Sequence, residues 1–246
     1  MESVRGYVYE GTIEPGMFVG AVEGTIVRNP DCSPPWIVVH HSLASVVVAR
    51  WPGKLFLVEV LDAEGVEQPL AYADYTRAVA VQVCKEVPTF RLFGDHGEAV
   101  CAVIAFGARL NPSTAQRLVD FRHLMADEIY SKAWRKWLTG IGVAMTDEEW
   151  DYSGTLAAGP GPVRSPINCG LTVTWQAVWD RAHLLLGPAA STANEEDDLI
   201  LTPVWSSAAS ALLDAAMALG APWLMTAEDM HILTAAWRSV ANQPKR

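Results

Sequence analysis

The sequence predicts an α+β fold: a mostly antiparallel β domain over residues 1–95, then a Trp-rich α-helical region over 96–246. Three observations carry this. In the first 93 residues, apolar side chains fall in short runs broken by Gly and Pro, as strands and turns require. From Glu98 onward they recur every three or four residues, the helical period. Eight of the ten tryptophans lie between Trp134 and Trp237, leaving Trp36 and Trp51 in the first half. Tryptophan spaced along Ala-rich helices is more often a core anchor than a binding surface.

The elements follow in order. Gly6-Tyr7-Val8-Tyr9 is a first short strand, ended by Gly11. Glu14-Pro15-Gly16 signals a turn. Met17-Phe18-Val19 and Thr25-Ile26-Val27 follow as two short strand-like runs. Trp36-Ile37-Val38-Val39-His40 is rich in β-branched residues and predicts a strand. Ser42 offers a cap, so residues 43–49 are predicted as a short helix, with a further strand as the alternative. Trp51-Pro52-Gly53 gives a sharp start to a strand over 54–61. Another strand spans 78–87, and Pro88 stops it.

The period then predicts a helix over 98–110, ended by Asn111-Pro112. Ser113 opens a long helix reaching Leu138, built on Leu118, Phe121, Met125, Ile129 and Ala133. Gly140 and Gly142 terminate it. Thr146-Asp147-Glu148-Glu149 is a capping-box signature. Residues 154–170 hold four Gly and three Pro, which predicts a loop longer than most connections. Three helices close the chain, over 173–186, over 202–219 with Pro203 at its first position, and over 226–241. The acidic stretch 195–198 reads as a loop.

Half of the 246 residues are hydrophobic and 19% are charged, so the chain can bury a core and is not disordered. The formal net charge is −10. Residues 1–120 carry 9 Lys/Arg against 14 Asp/Glu, so neither half is basic. No nucleic-acid partner is expected, because phosphate binding needs clustered Lys and Arg. Lys132, Arg135 and Lys136 read as a solvated helix face. Cys32, Cys84, Cys101 and Cys169 are scattered without a CxxC pair, which argues against structural zinc. Cys101 sits in an apolar run and is expected to pack as a small hydrophobe. The N-terminus has no apolar leader, and no stretch approaches the roughly 18 apolar residues of a membrane span. These features predict a cytoplasmic protein with reduced thiols and no membrane association.

Adjacent strand residues point to opposite faces, so one of His40 and His41 could line a pocket while the other packs or meets solvent. As a metal pair they are incomplete, since Asp31 and Cys32 lie across a Pro-rich loop. His123 and Asp127 stand four apart on one helix face, beside Glu128, with His231 and Asp229 as possible partners from another helix. Without an HExxH or ExxH spacing they are expected to form a surface pair. The GxGxxG, GxxxxGK[ST] and GxSxG motifs are absent.

Residues 6–87 resemble the small ADP-ribosyltransferase domains of the rifampin-modifying type. Those domains begin with a strand carrying Tyr-His-Gly-Thr and a Pro-Gly turn. Here the chain has Tyr9-Glu10-Gly11-Thr12, then Pro15-Gly16. Ile37-Val38-Val39-His40-His41-Ser42-Leu43 takes the place of the family's nicotinamide-stacking strand. Gly53-Lys54-Leu55-Phe56-Leu57-Val58-Glu59 matches its Gly-led strand, and Tyr75-Thr76-Arg77-Ala78-Val79 the strand after an Arg-containing turn. The resemblance implies an NAD site. Glu10, His40 and Asp74 would be its catalytic residues, with Glu67 as the other acidic candidate. Gly11, Thr12, His41 and Ser42 would be its cofactor contacts. Glu10 stands where the family has a His, and a carboxylate there repels a pyrophosphate.

The expected function is therefore a non-catalytic binding or interaction protein, an ADP-ribosyltransferase-like domain fused to a helical bundle. Its partner would be a protein or a small molecule, with no cofactor. One alternative is an NAD-dependent ADP-ribosyltransferase with a remodelled site. Another is a subunit of a bacterial or phage assembly.

Overall fold

In the computed structural model, which describes residues 4–11, 16–29, 34–61, 74–141, 166–195 and 197–241, the β-type runs at the front form one antiparallel sheet. Its strands are β1 (Arg5–Gly11), β2 (Ile26–Arg28), β3 (Ile37–His40), β4 (Gly53–Val60), β5 (Tyr75–Ala78) and β6 (Ala80–Val87). They lie in the order β2-β6-β4-β1-β3-β5. The helices come later in the chain, so the fold is α+β. Two compact units result: Met1–Leu92 with Arg164–Cys169, and Phe93–Val163 with Gly170–Arg246.

One face of the sheet buries Val8, Ile37, Val39, Phe56, Val58, Ala78, Val81 and Val83. The alternation of these residues along each strand is what commits that face to the core. Between Leu57 and Val58 the β4–β6 register shifts, a bulge in the ladder. Met17-Phe18-Val19 does not form a strand. Residues 17–20 are turns, with Ala21 N–H donating to the Phe18 carbonyl at 3.0 Å. Gly20 and Gly24 take φ of 74° and 85°, conformations that suit glycine. This turn delivers Phe18 into the core, its ring 5.3 Å from that of Phe56. Ser42 caps a single turn of 3-10 helix, Leu43–Ser45, through a reciprocal pair of bonds with Ser45.

The second unit contains helices α1 (Gly97–Gly107), α2 (Pro112–Phe121), α3 (Ala126–Gly140), α4 (Pro166–Leu186) from Gly170 onward, α5 (Pro203–Gly220), α6 (Ala227–Leu233) and α7 (Ala235–Ala241). A two-stranded ribbon, β7 (Ser191–Ala193) with β8 (Leu199–Leu201), lies between α4 and α5 in sequence. Helix α5 is the hub. It buries Ala208, Ala209, Ala211, Leu212, Ala215, Ala216 and Met217, and its small side chains admit α1 and α2 closely. A Cβ on Gly107 would stand 3.3 Å from Val178 and 3.4 Å from Leu212. Trp134, Trp137 and Trp205 are buried anchors, whereas Trp223 is 58% exposed.

Three expectations on this unit are corrected. The long helix over 113–138 is broken, because Arg122 leaves helical geometry at φ −70°, ψ 127°. Its guanidinium is claimed by two carboxylates. Nε donates to Asp214 at 2.7 Å and Nη2 to Asp127 at 2.6 Å. Asp127 is thereby taken from His123, whose Nδ1 accepts the Met125 N–H at 3.1 Å. Asp229 caps α6 with Thr226. The predicted last helix is also two, and Thr234 sits at the break. Its hydroxyl donates to the Met230 carbonyl at 2.7 Å, a back-bond that bends helices. Finally, residues 166–170, predicted as loop, are helical. The described residues of the acidic stretch, Glu195, Asp197 and Asp198, lie outside helix and strand as expected, with Asp197 at φ 62°. The capping-box signature at 146–149, Trp150 and residues 154–165 lie outside the described residues. Among the described residues no helix is long and apolar enough to cross a membrane.

Asp214, on α5, is 2% exposed. Burial pushes its carboxyl up to about 6, against the downward pull of Arg122. Burial works against the Arg122 charge too, but the bonds to Asp214 and Asp127 outweigh it and raise the guanidinium further.

Candidate functional site

Tyr7 and His40 are the register pair that joins β1 to β3. Past it a cleft of about 580 Å³ is bounded by Val8, Tyr9 and Glu10 of β1, and by Ile37, Val38 and His40 of β3 with Trp36 before it. Tyr75 and Arg77 of β5, the turn residues Gly16, Met17 and Phe18, and Val47 complete the wall. This volume suits a small molecule, and the wall is largely aromatic and aliphatic with a few polar groups.

The register of β3 against β5 places Val38 opposite Arg77 and His40 opposite Tyr75. Period-2 geometry puts these four on one face. The His40 ring is buried and tilted against Tyr75 at 6.3 Å. Tyr9 is fixed from two sides. Its hydroxyl donates to the Arg50 carbonyl at 2.7 Å, and its ring lies parallel to that of Trp51 at 6.4 Å. Burial raises the Tyr9 phenol well above its ordinary range, so it stays neutral.

Glu10 has a structural task. Its Oε1 accepts the backbone N–H of Phe18 at 3.0 Å and backs onto Gly16, where any Cβ would collide with the carboxylate. Glu10 therefore pins the 16–21 turn to β1. His41 lies just past the end of β3. Its Nε2 meets Thr76 Oγ1 at 2.8 Å, and its N–H donates to the Asp74 carbonyl at 2.9 Å. Ser42 is spent on the cap of residues 43–45. Asp74 is exposed and serves through its carbonyl, which also accepts from Ser45 Oγ at 3.2 Å. Gly11 ends β1 opposite Gly53. Thr12 and Glu67 lie outside the described residues.

Glu10 and His40 thus share the cleft, while Asp74, His41 and Ser42 are not among its lining residues. Trp36, Tyr75 and Arg77 are lining residues that motif reading did not select. Their signal was the two-residue spacing of Tyr75 and Arg77 on a strand. The described lining residues include no Ser, Thr or Cys nucleophile. Among the described residues no three His, Cys, Asp or Glu side chains converge as metal ligands. Cys101 is half-buried, and burial pushes its thiol up to about 11. Comparison with protein families, with curated proteins and with solved structures finds no match to this chain.

Proposed function

We propose that the first unit is a non-catalytic binding module, and that its β1–β3–β5 cleft takes a small molecule with a planar ring. The observation that carries this is the state of Glu10. Its carboxylate is engaged by the Phe18 N–H and packed on Gly16, so it supports the wall rather than standing ready as an acid or base. The cleft also presents His40, with Trp36 and Tyr75 for stacking and Arg77 for a polar or anionic substituent. Likeness to an ADP-ribosyltransferase domain belongs to this proposal as shape, without its turnover.

The test is thermal denaturation against a panel of aromatic small molecules, NAD included, with free nicotinamide assayed in parallel. A ligand present at a hundred times its Kd raises stability by about 2.7 kcal/mol. Stabilisation of the native chain that disappears in Trp36→Ala and Arg77→Ala supports the reading. Nicotinamide release from NAD would replace it with a transferase. Stabilisation that survives both substitutions would move the binding site elsewhere.

A further inference from the structure

In the second unit a histidine meets a serine that no motif announced. His183 lies in the last turn of α4, and Ser191 opens β7. His183 Nδ1 lies 2.9 Å from the Trp179 carbonyl oxygen, and Nε2 lies 3.2 Å from Ser191 Oγ. A carbonyl can only accept, so Nδ1 carries the hydrogen. In the neutral ring Nε2 is then the acceptor, and the Ser191 hydroxyl donates to it. This is the tautomer that a general base needs toward a serine. The Trp179 ring, 4.5 Å from the imidazole centroid, holds it from the side.

Two further features suit the chemistry. The Trp179 carbonyl holds Nδ1 and so fixes the orientation of the ring, as a carboxylate does in the familiar triads. The ladder geometry also places the Ser191 N–H. Thr202 N–H donates to the Ala190 carbonyl and Asn194 N–H to the Asp198 carbonyl, each at 2.9 Å. Hydrogen-bonded pairs therefore fall at 190/202 and 194/198, with Ser191 at a non-bonded position between them. Its N–H points to the outer edge of the ribbon, where it can donate to an oxyanion.

The geometry points to Ser191 and His183 as an esterase dyad. Both side chains are half-buried, within reach of solvent. Leu199 shares the ribbon face of Ser191 by the two-residue period and is 61% exposed. An ester with an apolar acyl chain is the substrate class that fits. Ser191 Oγ attacks the ester carbonyl carbon and its proton passes to Nε2. The tetrahedral species collapses, the bond to the leaving alcohol breaks, and Nε2 protonates that alcohol. Water then attacks the acyl-serine and gives a proton to Nε2. The acyl–Oγ bond breaks, Ser191 regains its proton, and a carboxylic acid leaves.

The experiment treats the full chain with a fluorophosphonate probe and maps the modified peptide, alongside hydrolysis of p-nitrophenyl acetate, butyrate and octanoate. The label is expected on Ser191, and the longer acyl chains should turn over faster. Ser191→Ala should abolish both signals. His183→Gln should lower turnover by about 100-fold or more and remove its pH dependence. Labelling of another residue, absence of labelling, or equal hydrolysis by Ser191→Ala would overturn the assignment. Mapping on the native chain needs no variant, so a folding defect in a mutant cannot obscure the answer.

Discussion

Arg122→Ala removes a side chain that ties α2, α3 and α5 together by charge, and the structure sets the size of the loss. The guanidinium donates to Asp214 at 2.7 and 3.3 Å and to Asp127 at 2.6 and 3.2 Å. The two halves differ in burial. The Asp127 side chain is 79% exposed and that of Asp214 only 3%. The outer half therefore contributes at most about 1 kcal/mol. Loss of the inner half leaves a buried carboxylate without its cation, which costs about 3–5 kcal/mol. At about 2–4 °C per kcal/mol, Tm should fall by about 6–20 °C. Circular dichroism melts at neutral pH would compare Arg122→Ala, Asp127→Ala and the double variant Arg122→Met/Asp214→Leu. The Asp127 variant should lose little. The double variant should recover most of the stability, because two apolar side chains of similar volume need no counter-ion. Equal losses in Arg122→Ala and Asp127→Ala would refute the burial argument. So would a double variant no better than Arg122→Ala.

Three other outcomes are expected. Asp214 is raised from 3.8 to about 6 in the folded chain, so between these values the folded state binds more proton than the unfolded one. Its contribution to stability thus falls as pH rises through that window, by about 3 kcal/mol in all. Urea melts of the native chain and Asp214→Asn at both ends of the window would show it, and a pH-independent difference would dismiss it. Glu10→Ala strands the Phe18 N–H and should cost about 1–3 kcal/mol, while Glu10→Gln keeps an acceptor and should cost less. If the two variants melt alike, Glu10 does not hold the turn. Phe56→Ala empties a site that is 0% exposed beneath Phe18 and should cost about 3–5 kcal/mol by denaturant titration. A loss under 1 kcal/mol would mean the core closes over the gap.

Local chemistry was readable where one stretch of chain suffices. Val38-Val39 and the 54–61 run form strands because β-branched and aromatic residues fit a half-buried pleat. Ser42 and Thr226 start helical turns because each places an acceptor three residues before a backbone donor. The failures share one cause. Phe18 lies in a strand-like run, yet the Glu10 carboxylate, on a neighbouring strand, and the core claim it for a turn. Arg122 sits mid-pattern in a continuous helical period, but its partner Asp214 is 92 residues away. No local window contains that competition. The cleft was half visible: Glu10 and His40 were selected, and Trp36 and Arg77 were not, because strand order decides which residues face one another.

By itself, then, the sequence determined the α+β class, the position of the change from strand to helix and the caps at Ser42 and Thr226. These follow from periodicity and from short-range hydrogen bonding, which act within a turn or two. Tertiary structure alone decided that β3 lies between β1 and β5, that Glu10 serves Phe18, and that Arg122 breaks a helix to reach Asp214. It also decided that His183 presents Nε2 to Ser191. Each is a contact whose free energy exists only once distant backbone has been brought together and water excluded, so its geometry is set by the packing of the whole unit.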